Sequence, residues 1–187
     1  INQALFTLDI QDTTDKIAIG GLFTTINGSS RNRIALLENN GALITSFNIG
    51  TGFNNYVEFV KFTPDDKILC HGLYTTYNGT AVPDLLRLNL NGSLDTTFTG
   101  VTAGFPSSFK TVKDIEFTND DKIFICGTFT TYNGATHNRI VKLNNDGSVD
   151  TSFVTGSGFN ADATNVRFNT GILTVVGDFT SYKGATV

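Results

Sequence analysis

Acidic residues are the side chains of this sequence that could most readily do chemistry, and two adjacent pairs recur. Asp65-Asp66 and Asp120-Asp121 each stand before a lysine, between two apolar stretches. Paired carboxylates support acid–base catalysis when they converge and are buried to different extents. Adjacent residues at a strand end point to opposite faces, so these pairs are not expected to converge. We interpret them as solvated turn residues that bond their own backbone.

A second acidic segment, Asn144-Asn-Asp-Gly-Ser148, has the oxygen-rich composition of a calcium loop. The first ligand of such a loop would fall at Lys142, whose charge is wrong for calcium. Asp146-Gly147 is therefore predicted to be a hairpin turn. Asp95 and Asp150 both occur in a Ser-x-Asp-Thr pattern, where a short acid can accept backbone N–H groups and brace the chain.

The histidines and cysteines form no catalytic or metal-binding pattern. His71 and His137 occupy different places in the chain's repeat, and no nucleophile motif such as Gly-x-Ser-x-Gly accompanies them. Cys70 and Cys126 fit no metal-ligand spacing, and we expect both to be small buried apolar residues. The glycine pairs lack the lysine and the helix that a phosphate-binding loop requires. We predict no catalytic residues, no metal site and no cofactor.

Composition and charge favour a folded β protein and disfavour two classes of partner. The 187 residues are 40% hydrophobic and 16% charged, with a net charge of −4. The Lys and Arg residues are scattered, so nucleic-acid binding is not expected. No apolar run approaches the ~20 residues of a membrane-spanning helix, so membrane insertion is not expected either. The first residue is not methionine, and we therefore expect a mature chain or an internal fragment.

These candidate residues lie between the copies of an eight-residue stretch that occurs four times. Its pattern is Gly-x-aromatic-Thr-Thr/Ser-x-Asn/Lys-Gly, and it recurs every 50–55 residues. A repeat of this period is typical of propellers, solenoids and arrays. The four copies are Gly21–Gly28, Gly72–Gly79, Gly127–Gly134 and Gly177–Gly184.

The repeat predicts an all-β fold, a β-propeller-like array of four-stranded antiparallel blades. The second strand of each copy is apolar on both faces, which predicts sheets packed face to face. Asn-Gly turns such as Asn39-Asn-Gly41 are predicted to supply the positive φ angles of hairpins. A β-solenoid is the competing architecture. The prediction is a single repeat domain over residues 1–187 with about 3.5 repeats, which would form an incomplete propeller. The predicted repeats span residues 4–53, 54–108, 109–160 and 161–187, and the last one is incomplete.

Four segments carry a family resemblance: Gly177–Gly184, Asn138–Leu143, Asn145–Phe153 and Gly156–Phe159. They resemble the bacterial delta-60 repeat, and the resemblance extends over nearly the whole chain. It implies a β-propeller-like array in a large secreted or surface protein, or in a phage tail component, and it implies no enzymatic role. The chain departs from the pattern where Ile44 replaces the Asp of the first copy and Lys183 replaces the Asn of the fourth.

Length variation among the copies is confined to three loops, at residues 48–56, 99–111 and 154–165. Aromatic, Asn and Ser side chains on such loops suit recognition of proteins or glycans. Alternatively, the Phe of the recurrent Gly-Phe-Asn pins each loop to the core. The candidate binding residues are Phe53, Asn54, Tyr56, Phe105, Ser107, Ser108, Phe109, Phe159, Asn160 and Asp162.

The expected function is that of a non-enzymatic scaffold or interaction module of an extracellular or virion tail-associated protein. Its partner would be a protein or a surface glycan. A lectin-like adhesin is one alternative, and a polysaccharide-degrading enzyme with acids such as Asp162 or Asp178 is another. Because the fourth copy stops before its third strand, neighbouring copies or further chain are expected to complete the last blade.

Overall fold

The computed structural model describes residues 1–106 and 111–187. Within these residues the secondary structure consists of short strands, without helices. In chain order the strands are β1 (Leu5–Ile10), β2 (Ile17–Gly21), β3 (Thr25–Ile26), β4 (Ser29–Ser30), β5 (Ile34–Leu37), β6 (Val57–Phe62), β7 (Ile68–Gly72), β8 (Thr76–Tyr77), β9 (Thr80–Ala81), β10 (Leu85–Leu88), β11 (Val112–Phe117), β12 (Ile123–Gly127), β13 (Thr131–Tyr132), β14 (Ala135–Thr136), β15 (Ile140–Leu143), β16 (Ala163–Asn169), β17 (Ile172–Gly177), β18 (Ser181–Tyr182) and β19 (Ala185–Thr186).

Each repeat builds an antiparallel sheet around its second strand, as predicted, and a separate two-stranded hairpin: β3-β4, β8-β9, β13-β14 or β18-β19. The orders are β1-β2-β5, β6-β7-β10 and β11-β12-β15, so the second strand of each repeat is central. The fourth repeat pairs only β16 with β17. The central strands β7 and β12 are buried along their whole length, which confirms that they are covered on both faces.

The predicted fourth strand of each blade is reduced to a single paired residue. Leu43, Leu94 and Val149 each form one antiparallel bridge to the third strand of their repeat. The chain then turns. In the third repeat the Phe153 N–H donates to the Asp150 carbonyl at 3.1 Å, and the first repeat has the corresponding hydrogen bond. The Asp-Thr-Ser-Phe segment therefore ends the strand pairing, so the predicted fourth strand does not extend beyond the single bridge.

The chain divides into two compact units, residues 1–96 and 97–187. In the first unit, the sheets of repeats one and two enclose an apolar core that includes Ile34, Leu36, Val60 and Leu86. Hydrogen bonds link their first strands: Thr7 accepts from the Val60 N–H at 3.2 Å, and Asp9 accepts from the Phe62 N–H at 2.7 Å.

The second unit repeats this arrangement between repeats three and four. Asp114 accepts from the Val166 N–H at 3.0 Å, and Glu116 accepts from the Phe168 N–H at 3.3 Å. Phe124 packs against Phe168, with 5.6 Å between ring centroids. Each unit thus joins neighbouring sheets by side-chain acceptors at the same two positions of the first strand.

The first glycine of the repeated stretch is required by a close backbone approach. None of the four has a positive φ angle. A Cβ atom there would overlap the carbonyl of the residue just before the first strand, and that carbonyl also accepts the N–H that follows the glycine. The four glycine and carbonyl pairs are Gly21 with Ala4, Gly72 with Tyr56, Gly127 with Thr111, and Gly177 with Asp162.

The last two residues of the repeated stretch form a two-residue hairpin turn. Asn27 and Gly28 have φ angles of 49° and 80°, as a type I′ turn requires. At Asn39-Asn-Gly41, by contrast, only Gly41 has a positive φ, so the prediction for the asparagine is wrong. Asn40 instead accepts the Ala42 N–H on its side chain at 2.9 Å, which stabilises a longer turn.

Candidate functional site

The variable loop at 48–56 is anchored to the first unit by an aromatic side chain. Phe53 is buried, and its ring centroid lies 4.2 Å from that of Tyr74 and 4.6 Å from that of Tyr77. Both tyrosines belong to the repeated stretch. This placement favours the alternative interpretation, in which the Phe pins the loop to the core.

The loops of the second unit use the same anchor. Phe105 is buried against Phe129 and Tyr132, with centroid distances of 4.6 and 4.9 Å. Phe159 packs against Phe179 and Tyr182 at 4.1 and 4.6 Å. The remaining predicted residues of the 99–111 loop, Ser107, Ser108 and Phe109, lie outside the described residues.

The two predicted asparagines fasten the 48–56 and 154–165 loops to a hairpin of the repeated stretch. The Asn54 side-chain oxygen accepts from the Thr75 and Thr76 N–H groups at 2.9 and 3.0 Å. Asn160 accepts from Thr180 and Ser181, both at 3.0 Å. The two asparagines also donate to the Thr75 and Thr180 hydroxyls at 2.9 and 3.0 Å, which gives the first Thr of the repeated pair a side-chain role.

Besides the exposed Asn54 and Asn160, two predicted residues keep a partly accessible side chain. Tyr56 is half-buried and meets Phe6 edge-on at 6.0 Å between ring centroids. Asp162 is 43% exposed, and its Oδ1 atom lies 3.2 Å from Arg139 Nε. The structure does not bring the three loops' candidate residues together within one unit, because the 48–56 loop belongs to the first unit and the other two belong to the second.

A cleft of about 300 Å³ lies beside the 48–56 loop in the first unit. Amide and hydroxyl side chains supply its polar groups, together with the guanidinium group of Arg33. The lining residues are Thr24, Asn32, Arg33, Thr51, Gly52, Phe53, Asn54, Thr76 and Gly79.

Of the cleft residues, the sequence predicted only Phe53 and Asn54, and the residues that it missed include Asn32 and Arg33. The Asn32 side chain donates to the Thr51 carbonyl at 2.7 Å, so it holds the loop against the third strand. Arg33 has a φ angle of 72° and donates to the Phe23 carbonyl at 3.4 Å. The signal that could have found them is the dipeptide itself, because Asn-Arg recurs at 138–139.

The recurrent Ser-x-Asp-Thr acids are buried structural anions. Asp95 Oδ2 accepts from Arg87 Nε at 2.6 Å and from Lys67 Nζ at 2.9 Å. Asp150 Oδ1 accepts from the Ser152 N–H at 3.1 Å and from the Ser152 hydroxyl at 2.6 Å. The hydroxyl bond lowers the pKa of Asp150 to about 2. The backbone bond at Asp150 is the bracing role that the sequence predicted.

Copy one replaces this ion cluster by apolar side chains. Leu36 and Ile44 occupy the positions of Arg87 and Asp95, and both are buried in the core of the first unit. The fold therefore accepts either an ion pair or an apolar pair at this place.

The other acidic candidates lie in turns, as predicted. Asp66 and Asp121 have φ angles of 59° and 58°. Asp146 accepts the Ser148 N–H at 2.9 Å and the Ser148 hydroxyl at 2.6 Å, and the Ser148 bonds lower its pKa. Asp146 thus bonds the local backbone as predicted. The Asp66 carboxylate instead accepts from Gln11 Nε2 at 2.6 Å and from the Thr13 hydroxyl at 3.3 Å in the first repeat, so the prediction of a local backbone bond is wrong there.

The histidines and cysteines are distributed through the two units. His71 is buried, with Nε2 3.6 Å from Asp84 and Nδ1 4.0 Å from Glu58. Cys70 and Cys126 are buried free thiols, and burial raises the pKa of Cys126 to about 12. In the described part of the chain, no group of three or more His, Cys, Asp or Glu residues could hold a metal ion. Within the same residues, no helix is long and apolar enough to cross a membrane.

Small antiparallel sheets that repeat along the chain, and that pack face to face inside each unit, define a β-propeller type of repeat protein. The chain belongs to the family described as "Domain of unknown function (DUF5122) beta-propeller", which matches residues 14–47, 63–98 and 118–153, more than half of its length. Each matched segment ends at the Phe that closes a repeat. Comparison with curated proteins found no match. A propeller repeat domain suggests a scaffold or interaction module.

Proposed function

We propose that the chain is a non-enzymatic scaffold and interaction module that binds a partner protein through its variable loops. The observation that carries this proposal is the anchoring of those loops. The residues that recur among the copies have structural roles in the fold. The loops vary in length, yet each is held by a buried Phe. A variable loop on a rigid base presents its exposed side chains with little loss of entropy on binding.

The proposal extends to the type of repeat and to its setting. We assign the repeat to the delta-60 type, on the residues quoted above for that resemblance. The resemblance supports a place in an extracellular protein or in a tail-associated virion protein. A cell-surface or virion fraction probed with an antibody against the chain would test this, and recovery only from the cytoplasm would contradict it.

A lectin-like function is the second candidate, and the cleft beside the 48–56 loop favours it. Amide and hydroxyl groups can donate to and accept from sugar hydroxyls, and Arg33 adds a cation for an acidic sugar. The Nε atom of Arg33 is buried, so the terminal nitrogens of the guanidinium group would have to contact an acidic sugar.

A glycan array distinguishes these two functions. If the chain binds proteins alone, no glycan is retained, and cross-linking to its partner maps to the exposed residues of the loops. If it is lectin-like, a surface glycan is retained, and Arg33→Ala removes the binding while the matched variant Arg139→Ala does not. Arg139 is the right control because Asp162 already neutralises it.

The proposal that the module is not an enzyme has its own test. The chain is incubated with surface polysaccharides, and reducing sugar ends are counted. Release of sugar that is lost on changing Asp162 or Asp178 would replace the proposal with a polysaccharide-degrading function.

A further inference from the structure

The place that Arg33 occupies in the first unit is occupied by Arg139 in the second unit. Both arginines have a left-handed backbone, with φ angles of 72° and 69°. Arg33 donates to the Phe23 carbonyl at 3.4 Å, and Arg139 makes the corresponding bond to the Phe129 carbonyl at 3.1 Å. The same contact therefore holds both guanidinium groups.

The segments around the two arginines are also equivalent. The asparagine before each arginine donates to a carbonyl of the variable loop beside it. Asn32 donates to Thr51 at 2.7 Å, and Asn138 donates to Ser157 at 2.9 Å. The buried Phe of each loop forms one antiparallel bridge to a tyrosine of the repeated stretch. Because the backbone is the same in both places, a difference in what they bind has to come from individual side chains.

One side chain beside the arginine distinguishes the two places. In the second unit, Asp162 Oδ1 lies 3.2 Å from Arg139 Nε. The residue that corresponds to Asp162 in the first unit is Tyr56, because the carbonyls of both lie against the first glycine of their repeat. Tyr56 supplies no carboxylate, and its ring meets Phe6 at 6.0 Å between centroids. The first unit therefore keeps the arginine but lacks its counter-ion.

The charge of Arg33 is not neutralised within the part of the chain that the structure describes, where no carboxylate forms an ion pair with it. Its Nε atom is buried and its Nη1 atom donates to the Phe23 carbonyl, so Nη2 is the nitrogen left for a ligand. Arg33 lines the cleft of about 300 Å³ together with Thr24, Thr51 and Thr76. A guanidinium group recognises a carboxylate, and threonine hydroxyls can both donate to and accept from sugar hydroxyls.

We propose that this cleft binds the carboxylate of an acidic sugar through Arg33, and that Asp162 is the internal counterpart of that carboxylate. The inference rests on the lectin-like candidate function and names its ligand as a glycan that carries carboxylate groups. A sugar ring has several hydroxyls beside its carboxylate, which suit the threonines of the cleft, whereas the side chain of an acidic peptide has none. The place at Arg139 is closed to such a ligand, because Asp162 of the chain itself already occupies it.

The test follows the side-chain Nε–H resonances of Arg33 and Arg139 by NMR while a glycan is added to the 187-residue chain. The acidic probes are tetragalacturonate and sialyllactose, and their neutral controls are tetragalacturonate methyl ester and lactose. At least one acidic probe should shift the Arg33 resonance and leave that of Arg139 in place. Its neutral control should bind about tenfold more weakly or worse, because it cannot form a charge-assisted hydrogen bond. Equal binding of the neutral control would overturn the proposal.

Asp162→Ala is the matched variant that should gain a site. Without this carboxylate, the Arg139 resonance should also shift with the same glycan, while the response of Arg33 is unchanged. Asp162 is 43% exposed, so the variant should keep its fold, and circular dichroism checks this. An Arg139 resonance that still does not respond in the folded variant would overturn the proposal, as would a parent chain in which both arginines shift alike.

Failure of this inference can be told apart from failure of the lectin-like function. Retention of neutral glycans on the array, without a shift at Arg33, would overturn the carboxylate site and leave the lectin-like function standing. A shift of Arg33 with hexaglutamate, but with neither acidic glycan, would overturn the inference in favour of a peptide ligand. The absence of all glycan binding would contradict both, whereas binding of a partner protein through the loops is tested separately by cross-linking.

Discussion

Replacing the buried ion cluster of the second repeat by the apolar pair of the first should leave stability nearly unchanged, although each single replacement should be costly. The perturbation is Arg87→Leu, Asp95→Ile and the double variant. The Arg87 and Asp95 side chains are 2% and 5% exposed, so neither charge can be hydrated in place. Leu36 and Ile44 show that the same positions can be apolar in this fold.

The expected loss of folding free energy in each single variant depends on which charged side chain loses the other member of its ion pair. Asp95→Ile leaves the Arg87 guanidinium without that carboxylate, and removal of one member of a buried pair costs about 3–5 kcal/mol. Arg87→Leu should cost less, about 1–3 kcal/mol, because Lys67 still donates to Asp95 at 2.9 Å. The double variant should lie within about 1 kcal/mol of the parent, which implies a coupling free energy of at least about 2 kcal/mol.

The assay is urea unfolding at neutral pH, followed by circular dichroism for all four proteins of the cycle. The matched control is the cycle of Lys142→Leu and Asp150→Ile in the second unit. Lys142 is 19% exposed and can reach water, so its coupling to Asp150 should be smaller. A cost below about 1 kcal/mol for Asp95→Ile, or a double variant no more stable than the worse single variant, would refute the reasoning.

Three further predictions rest on other single residues. Lys183→Asn should stabilise the chain by about 1 kcal/mol, because residue 183 has a φ of 52° in a type I′ turn that Asn adopts more readily; a lower thermal midpoint would contradict this. Gly127→Ala should lower the free energy of unfolding by more than about 3 kcal/mol, since its Cβ would meet backbone atoms. Gly134→Ala should lower it by about 1 kcal/mol, because only its φ of 77° is unfavourable for Ala. Urea unfolding midpoints compare the two variants, and equal losses of stability would rule out the close approach as the cause. The pKa of Asp150 is held at about 2, below its usual 3.8. The contribution of its ionised form to the free energy of unfolding is therefore complete above about pH 4 and is lost as the pH falls towards 2. Ser152→Ala should raise that pKa, as measured by carboxyl NMR titration, and an unchanged value would show that the hydroxyl bond is not its cause.

Much of the architecture was predictable because it is carried by local sequence patterns. Apolar residues on both faces of each second strand predicted sheets that are covered on both sides, and β7 and β12 confirm this. Turn chemistry placed Asp66 and Asp146 in turns correctly, and Asp146 bonds its own backbone there. It did not predict that the Asp66 carboxylate bonds Gln11 of the first repeat. The bracing role of Asp150 was predictable for the same reason.

The candidate site was less predictable, because a recurring residue does not reveal its partner. Phe53 and Asn54 have the composition of a recognition loop, yet one is buried against two tyrosines and the other is bonded to the Thr-Thr pair. Asn32 and Arg33 line the cleft only because the 48–56 loop folds back beside the third strand of its repeat. Contacts between segments some 20 residues apart depend on the path of the chain, which periodicity does not describe.

The sequence by itself determined the repeat, its all-β character and its turns, because strand alternation and turn residues act within a few neighbours along the chain. Only the tertiary structure showed why the first glycine recurs and which loop residues are anchors. These features arise where distant segments approach within van der Waals contact, and sequence spacing alone does not encode such distances.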